Sequence, residues 1–210
     1  MADSSSSKEH ILNRIRKALT NPVPLPYPNS EGKDALYKPG TNDDAIIFAE
    51  EFTRLQGKFA FCENDEDLQQ QLGLLIKEKG WQKIYCTEHK YQPLLHSLQV
   101  AHFNDLAESD VSITGCEYLV ARTGSMVMSS AQLSGRTTSV YAPVHICIAY
   151  NRQLVFDVKD ALVFLKEKYK DQFPSFVTFA SGPSRTADIE KTLVTGVHGP
   201  KEVYCFLIED

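Results

Sequence analysis

Four glycine-bearing turns in the second half of the chain combine residue types that could hold a ligand. They span residues 114–117, 122–125, 134–139 and 181–188, and each places hydroxyl or charged side chains beside a glycine. In open α/β sheets, ligands bind beyond the carboxyl ends of the strands, where loops meet helix N-termini. We therefore predict that these turns bind a small anionic ligand. The predicted binding residues are Thr114, Gly115, Thr123, Gly124, Ser125, Arg136, Ser181, Gly182, Pro183, Ser184, Arg185, Thr186 and Asp188.

The last of these turns has the most informative composition. Gly182 permits a positive φ, and Pro183 cannot continue a strand. Ser184 or Thr186 could then cap a helix that begins near Asp188. Free N–H groups at the start of such a helix attract a carboxylate or a phosphate. This turn is therefore the predicted centre of the anion site.

The guanidinium of Arg185 would complete that site, because it matches the geometry of a carboxylate or phosphate. An alternative of about equal weight is that Arg185 pairs with Asp188 or Glu190 and that the glycine only makes a turn. Ligand binding also requires that the separate turns converge on one pocket.

Two further residues could carry acid–base chemistry. Glu117 follows a strand, where a carboxylate could act as base, nucleophile or hydroxyl clamp, although a solvated surface glutamate is the commoner outcome. His198 lies between Gly196 and Gly199 in a constrained turn, which suits proton transfer. If the chain is a free-standing enzyme, Glu117 and His198 are its predicted catalytic residues. His145, by contrast, stands in an apolar run and is predicted to be a packed or hydrogen-bonded strand residue.

Composition excludes several classes of function. The net charge is -5 and Lys and Arg do not cluster, which argues against a nucleic-acid partner. The closest two of five cysteines, Cys62 and Cys86, are 24 positions apart, so we predict no metal, iron–sulfur cluster or other cofactor on this chain. Cysteines in apolar runs indicate buried thiols and a reducing compartment. The sequence lacks a secretory leader and a membrane span, which predicts a cytoplasmic protein.

The N-terminal part of the chain has a different character. Apolar residues from Ile11 to Leu19 recur at helical spacing and predict an amphipathic helix, which either packs on its own domain or docks a partner subunit. Prolines at alternate positions of NPVPLPYPNS predict a stiff connector or, less simply, a ligand for a proline-recognising groove. We therefore divide the chain into a helix and tether, residues 1–41, and an α/β domain, residues 42–210.

Strand and helix patterns alternate in the second part and predict an α/β fold with a mainly parallel sheet. Helices are predicted at residues 42–56, 65–79, 88–98, 157–169 and 188–194. Strands are predicted for KFAFC, KIYC, VSI, EYLVA, SMVMSS, PVHICIAY, SFVTFA and KEVYCFLI. Residues 111–150 are mostly strands and tight turns, which indicates an antiparallel excursion in the middle of the domain.

Several of these motifs together resemble one family. SDVSITGCEYLVARTGSMVM, a Gly-Arg turn followed by APVHICIAY, then SGPSRTADIE and TGVHGPKEVYCFLI, are similar to the lactate utilization protein C family, whose characteristic unit is the LUD domain. The resemblance is strong over residues 110–210 and looser for the N-terminal helix with its proline tail.

The resemblance implies a NagB/RpiA/CoA transferase-like sheet with flanking helices. It also implies a role in the oxidation of L-lactate to pyruvate, as the cluster-free member of a three-protein system whose other two subunits carry iron–sulfur clusters. Those subunits and a small anionic ligand are then the expected partners. Two alternatives stay open: an isomerase-like or transferase-like enzyme acting on a phosphorylated or CoA substrate, and a regulatory or structural module.

The chain departs from the family pattern at the second turn. Family members often carry a glutamate before the Thr-Gly pair, whereas Arg122 stands here. This substitution argues against a glutamate nucleophile at that turn and favours anion binding. Cys116-Glu117 occupies the place where Ala-Asp is common, so a carboxylate is retained there.

Overall fold

The computed structural model describes residues 4–20, 37–38, 41, 43–101, 103–189 and 192–210, without the side chains of residues 4–7, 186–189 and 192–194. The chain divides into two compact units, residues 1–38 and 39–210. The predicted proline-rich connector, residues 21–30, lies outside the described residues.

The first unit contains the predicted amphipathic helix. It is part of α1 (Ser4–Leu19), which therefore begins earlier than the apolar spacing indicated. Ile11, Ile15 and Leu19 on this helix are largely exposed. Across the described residues of the chain, no helix is long and apolar enough to cross a membrane.

The second unit alternates helices and strands. The helices are α2 (Asp44–Arg54), α3 (Asp65–Lys79), α4 (Gln92–Ser97), α5 (Thr138–Tyr141) and α6 (Val158–Tyr169). The strands are β1 (Lys58–Cys62), β2 (Ile84–Tyr85), β3 (Val111–Gly115), β4 (Tyr118–Val120), β5 (Ser125–Ser129), β6 (Val144–Tyr150), β7 (Leu154–Val155), β8 (Val177–Ala180), β9 (Arg185–Ile189), β10 (Thr192–Thr195) and β11 (Glu202–Ile208).

The main sheet is parallel, with the strand order β1-β11-β6-β3-β2. Its central strands read as continuous apolar runs because both faces are buried. On β11, Tyr204 and Phe206 face a core with α3 and α4, whereas Cys205 and Leu207 face a core with α2 and the second sheet. The predicted α/β class with a parallel sheet and flanking helices is confirmed.

The second sheet is the predicted antiparallel excursion. Its order is β7-β4-β5-β8, in which β5 is antiparallel to both neighbours and β4 pairs with β7 in parallel. Leu119 and Met126 face the main sheet, while Val120 and Val127 pack under Ala161 and its neighbours on α6. The carboxyl ends of the main-sheet strands therefore lie beside the start of β4.

Most predicted elements are confirmed, and one is wrong. The helix predicted for residues 188–194 is absent, because β9 and β10 form an antiparallel hairpin there. Thr186, Ile189, Thr192 and Val194 are β-branched, which favours extended backbone. Ser184 and Thr186 consequently cap no helix. The helix predicted for residues 88–98 is shorter, since a 3-10 turn at His89–Tyr91 precedes α4.

Two glycine turns hold the carboxyl end of α2. Gly124 has φ +55°, and a Cβ there would lie 2.5 Å from Phe52 N and 2.7 Å from Glu51 C. Gly182 has φ +85°, and its Cβ would collide with Leu55 O. Both turns therefore need glycine because the backbone of α2 passes directly over them.

We predict that Gly124→Ala lowers the free energy of unfolding by at least about 2 kcal/mol, since it combines a left-handed φ with a backbone collision. Gly135→Ala is the matched control, because Gly135 has φ +63° but nothing lies within 4 Å of the added Cβ. That variant should lose only about 1 kcal/mol. Urea unfolding of both variants measures the difference, and equal losses would show that α2 does not rest on this turn.

Candidate functional site

A cavity opens at the carboxyl ends of the main-sheet strands. Its volume is about 430 Å³. It is lined by Glu88, His89, Lys90, Cys116, Glu117, Ala131, Gln132, Leu133, Gln153, Lys168 and Tyr169. This is the place where open α/β sheets bind ligands, and the volume lies within the range of small-molecule sites.

Glu117 is enclosed at one wall of this cavity. Its side chain is only 1% exposed, and its carboxylate accepts hydrogen bonds from three side chains. The donors are Lys168 Nζ at 2.7 Å, Ser129 Oγ at 2.6 Å and the Tyr169 hydroxyl at 2.7 Å. A carboxylate with so many donors is held in place and has little capacity left for a ligand.

The charges of this pair are stabilised by each other. Burial raises the pKa of the Glu117 carboxyl, but the hydrogen bonds from Lys168, Ser129 and Tyr169 more than offset it, so the pKa lies below its ordinary value. Partial burial lowers the pKa of Lys168, and the hydrogen bond to Glu117 reverses this, so that pKa is raised. Both groups are therefore ionised near neutral pH.

Glu88, which also lines the cavity, is a second buried glutamate with a lysine beside it. Its side chain is 7% exposed, its Oε1 accepts the Gly115 amide at 2.8 Å, and its Oε2 lies 3.3 Å from Lys90 Nζ. A Cβ on Gly115 would lie 2.6 Å from Lys90 Nζ and 2.8 Å from the Tyr91 hydroxyl. Glycine is therefore required at position 115 for Glu88 and Lys90 to cover the end of β3.

The two lysines are the accessible charges of the cavity. Lys168 is 53% exposed and Lys90 is 50% exposed, whereas their glutamate partners are buried. An ammonium group has three donors, and the adjacent glutamate uses only part of that capacity. Both lysines line the same cavity and keep hydrogen-bond donors that an anion could use.

Cys116 and Gln153 line the cavity beside Glu117. Gln153 Nε2 donates to Cys116 O at 2.6 Å and to Glu117 O at 3.2 Å, which fixes the segment between β3 and β4. Cys116 lies against Cys147, and its hydrogen bond with that thiol, together with burial, raises the pKa of Cys116 well above its ordinary value. The cysteines are all free and buried, which confirms the prediction of buried thiols.

Three predicted binding residues come together elsewhere. Ser125 Oγ lies 2.8 Å from Thr123 Oγ1 and 2.6 Å from Ser181 Oγ, so the second and fourth turns do meet. Their glycines, Gly124 and Gly182, are occupied by the backbone of α2. These turns thus form a packing contact with α2.

Arg185 also serves that contact. Its Nη2 donates to the carbonyl of Leu55, at the carboxyl end of α2. A cation at this position stabilises the exposed carbonyls of a helix end. The predicted ligand contact and the predicted pair with Asp188 or Glu190 both stay predictions, since Glu190 lies outside the described residues. The side chains of Thr186 and Asp188 lie outside the described residues.

The remainder of the fourth turn packs against the segment that precedes β11. Pro183 is buried, and Ser184 N donates to Pro200 O at 3.0 Å. Ser184 O accepts the Gly196 amide at 2.9 Å. The backbone groups expected to bind an anion are thus satisfied by backbone partners.

Thr114 is buried within the main sheet. Its Oγ1 lies 2.8 Å from Nε2 of His145 on the adjacent strand β6. Burial lowers the pKa of His145 to about 4, so the imidazole is neutral. The prediction of a hydrogen-bonded strand histidine is confirmed, and Thr114 is its partner.

Two arginines of the predicted turns also have structural contacts. Arg136 Nη2 donates to Ser175 Oγ at 2.6 Å, and its guanidinium stacks 5.6 Å from the Phe176 ring centroid. Arg122 pairs with Asp157, the N-cap of α6, at 2.6 Å, and this hydrogen bond holds the pKa of Asp157 below its ordinary value. The structure thus brings the second and fourth turns together but not all four turns into one pocket. Binding of an anion by these residues stays a prediction.

His198 lies at the opposite end of the main sheet from Glu117. It lines a separate cavity of about 470 Å³ with Tyr141, Pro143 and Lys201, where β6 and β11 begin. A seven-residue strand is about 20 Å long, and Glu117 lies beyond the other end. The structure therefore places Glu117 and His198 in separate cavities, and a catalytic role for either residue stays a prediction.

The sequence reasoning missed Glu88, Lys90, Lys168 and Tyr169. Each sits in or beside a helical segment, where a charged or hydroxyl residue looks like a solvated face. The available signal was Glu117 itself, because a carboxylate buried at a strand end requires a cationic partner. Lys168 is 51 positions away along the chain, so spacing could not identify it. Within the described ranges, no group of three or more His, Cys, Asp or Glu side chains could hold a metal ion.

Sequence comparison identifies relatives that match about half of this chain. A protein named lactate utilization protein C from Halalkalibacterium halodurans is 35% identical over 105 residues, which cover 49% of this chain and 46% of that protein. A protein of the same name from Bacillus licheniformis is 32% identical over 105 residues, covering 49% of this chain and 44% of that protein. The chain therefore spans less than half the length of these relatives.

Structural comparison agrees on the fold. The crystal structure of a DUF162 family protein from Deinococcus radiodurans has a TM-score of 0.60 at 16% identity, covering 80% of this chain and 99% of that one. The LUD domain family model matches residues 100–208, which include β3 to β11 and the cavity walls at Glu117 and Lys168. The chain belongs to the LUD domain family.

Proposed function

We propose that this chain acts in lactate utilization by binding a small carboxylate, lactate or pyruvate, in the cavity at the carboxyl ends of the main sheet. The observation that carries the proposal is the pair of half-exposed lysines, Lys90 and Lys168, each held by a buried glutamate at one cavity. The names of the relatives supply the substrate class. The proposed anion site is thus at these lysines, whereas the sequence predicted it at the glycine turns.

The physical basis is fixed positive charge in a partly desolvated place. A buried glutamate holds its lysine in one position, so less side-chain entropy is lost when an anion binds. Lys168 bonds Glu117 through one oxygen and still presents donors to the cavity. Glu117 is thus a positioning residue, and the ligand contacts fall to Lys168 and Lys90.

The partners in this proposal are iron–sulfur subunits that carry out the electron transfer. The chain would contribute the carboxylate site, and the exposed apolar face of α1, with Ile11 and Ile15, would dock a partner. Lys8, Arg14, Arg16 and Lys17 on that helix favour a partner with an acidic surface. The alternative of an isomerase-like or transferase-like enzyme relied on Glu117 and His198 in one active site, and their separation removes its support.

We predict that lactate or pyruvate raises the melting temperature of the protein and that Lys168→Met abolishes the effect. At a ligand concentration of about 100 Kd the stabilisation is about 2.7 kcal/mol, or roughly 5–10 °C for a chain of this size. Lys166→Met is the matched control, because Lys166 is exposed on the same helix. Thermal-shift measurement checks this. Absence of a shift in the unmutated protein, or its persistence in Lys168→Met, contradicts the carboxylate site.

We predict that Glu117→Gln lowers the free energy of unfolding by about 1–2 kcal/mol at neutral pH, because Lys168 is half-exposed and keeps part of its solvation. The depressed pKa of Glu117 means that its contribution is present above pH 4.5 and is lost as the pH falls through the lowered value. The stability gap between the two proteins should therefore narrow in acid. Urea titrations at pH 7 and at successively lower pH measure the gap, and a gap that widens in acid refutes the ion-pair assignment.

We predict that the tagged protein, isolated from cells grown on lactate, co-purifies with cysteine-rich iron–sulfur proteins, identified by mass spectrometry and visible absorbance. Ile15→Glu should abolish this association because it places a charge on the apolar face of α1. Asn13→Glu adds the same charge on the opposite face and should have no effect. An unmutated protein that isolates alone, together with normal growth of a deletion strain on lactate, would contradict the assignment to lactate utilization.

A further inference from the structure

The outer edge of the main sheet is an unfilled position for another strand. In the part of the chain that the structure describes, β1 is the terminal strand and β11 is its one strand partner. Its other edge presents backbone N–H and C=O groups, which are a template for a further strand. One of these groups, the Phe61 carbonyl, accepts a hydrogen bond from the Gln71 side chain at 3.0 Å, so this side chain must turn aside when a strand is added.

Two apolar grooves flank this edge, one on each face of the sheet. The first, of about 460 Å³, lies between β1 and α2 and includes Ile46, Ala49, Phe59 and Phe61. The second, of about 340 Å³, lies between β1 and α3 and includes Ala60, Leu74 and Leu75. Ile46, Phe61 and Leu74 are 54%, 42% and 61% exposed, so an added strand could cover them. An added strand would place alternate side chains in the two grooves.

The sequence of β1 is complementary to itself. Its central residues are Phe59, Ala60 and Phe61, which read the same in both directions. In an antiparallel pair with a two-fold axis at Ala60, each Phe59 lies opposite Phe61 of the second copy. Such aromatic cross-strand pairs stabilise a sheet, and a two-fold interface requires the same patch on both subunits.

The charges at the two ends of β1 are complementary in the same register. Lys58 lies opposite Cys62 of the second copy, and Cys62 is followed by Glu63. Asp67 is close to the same point, since its Oδ2 accepts the Glu63 amide at 3.1 Å. In this register, Lys58 of each copy would lie at the end of β1 where the second copy carries Glu63 and Asp67, and its ammonium would have to leave the Tyr204 hydroxyl to reach them. Within its own chain Lys58 contacts Glu202, on the inner side of the strand.

We propose that β1 pairs antiparallel with β1 of a second copy of this chain, so that two main sheets join into one continuous sheet. The self-complementary Phe-Ala-Phe sequence favours a second copy over a strand from another protein. The inference is independent of the carboxylate site, which lies at the strand ends and not at the sheet edge.

The first test is the mass of the purified full-length protein in solution. Sedimentation equilibrium should give twice the monomer mass for the unmutated protein and the monomer mass for Phe61→Lys. Val163→Lys is the control, because Val163 is 44% exposed on α6, close to the value for Phe61, and this variant should stay dimeric. An unmutated monomer, including one that binds an extended peptide at β1, overturns the proposal, as does a Phe61→Lys dimer.

The second test examines the register. Ala60→Cys places two thiols on the two-fold axis, where opposite Cα atoms are about 4.5–5.5 Å apart, a separation that suits a disulfide. Mild oxidation should give a covalent dimer of this variant and none of Val163→Cys. The native cysteines are buried and give a low background. A dimer that fails to crosslink at position 60 would refute this register.

Discussion

Burial of the main sheet on both faces is the constraint on which the rest of the molecule depends. β6 and β11 alternate their side chains between two apolar cores, so polar chemistry cannot lie along these strands without a buried partner. The Thr114–His145 pair, on β3 and β6, shows one way in which polar groups are accommodated in this sheet: hydrogen-bonded and neutral. Charged groups are consequently restricted to the ends of the strands.

At the carboxyl ends of the main-sheet strands, two glutamate side chains are buried and two lysine side chains are half-exposed. Glu88 and Glu117 are desolvated by the fold, and each is compensated by a lysine: Lys90 from the same turn as Glu88, and Lys168 from α6. Each lysine side chain contacts its glutamate and is still about half-exposed to solvent at the cavity. Lys90 and Lys168 are thus oriented by the requirement to neutralise buried carboxylates, and the same orientation makes them available to an anion.

The sequence predicted the fold far better than the site. Continuous apolar runs predict β6 and β11 well, because burial on both faces leaves a local signal in the sequence. The sequence predicts a helix where the hairpin at 185–195 lies, since a Gly-Pro turn before polar residues resembles a helix start. It also predicts ligand loops at the glycine turns, although Gly124 and Gly182 are required by the close approach of α2. Partnerships between distant residues, such as Lys168 with Glu117, leave no pattern in the spacing.

The position of the cavity between two sheets has a mechanical consequence. Lys90 follows β2 of the main sheet, whereas Lys168 ends α6, which packs on the second sheet. An anion that contacts both ammonium groups would bridge these two layers at this point. Occupancy would then resist any sliding or splaying of the layers, and the outer surface of α6 would respond to the state of the cavity.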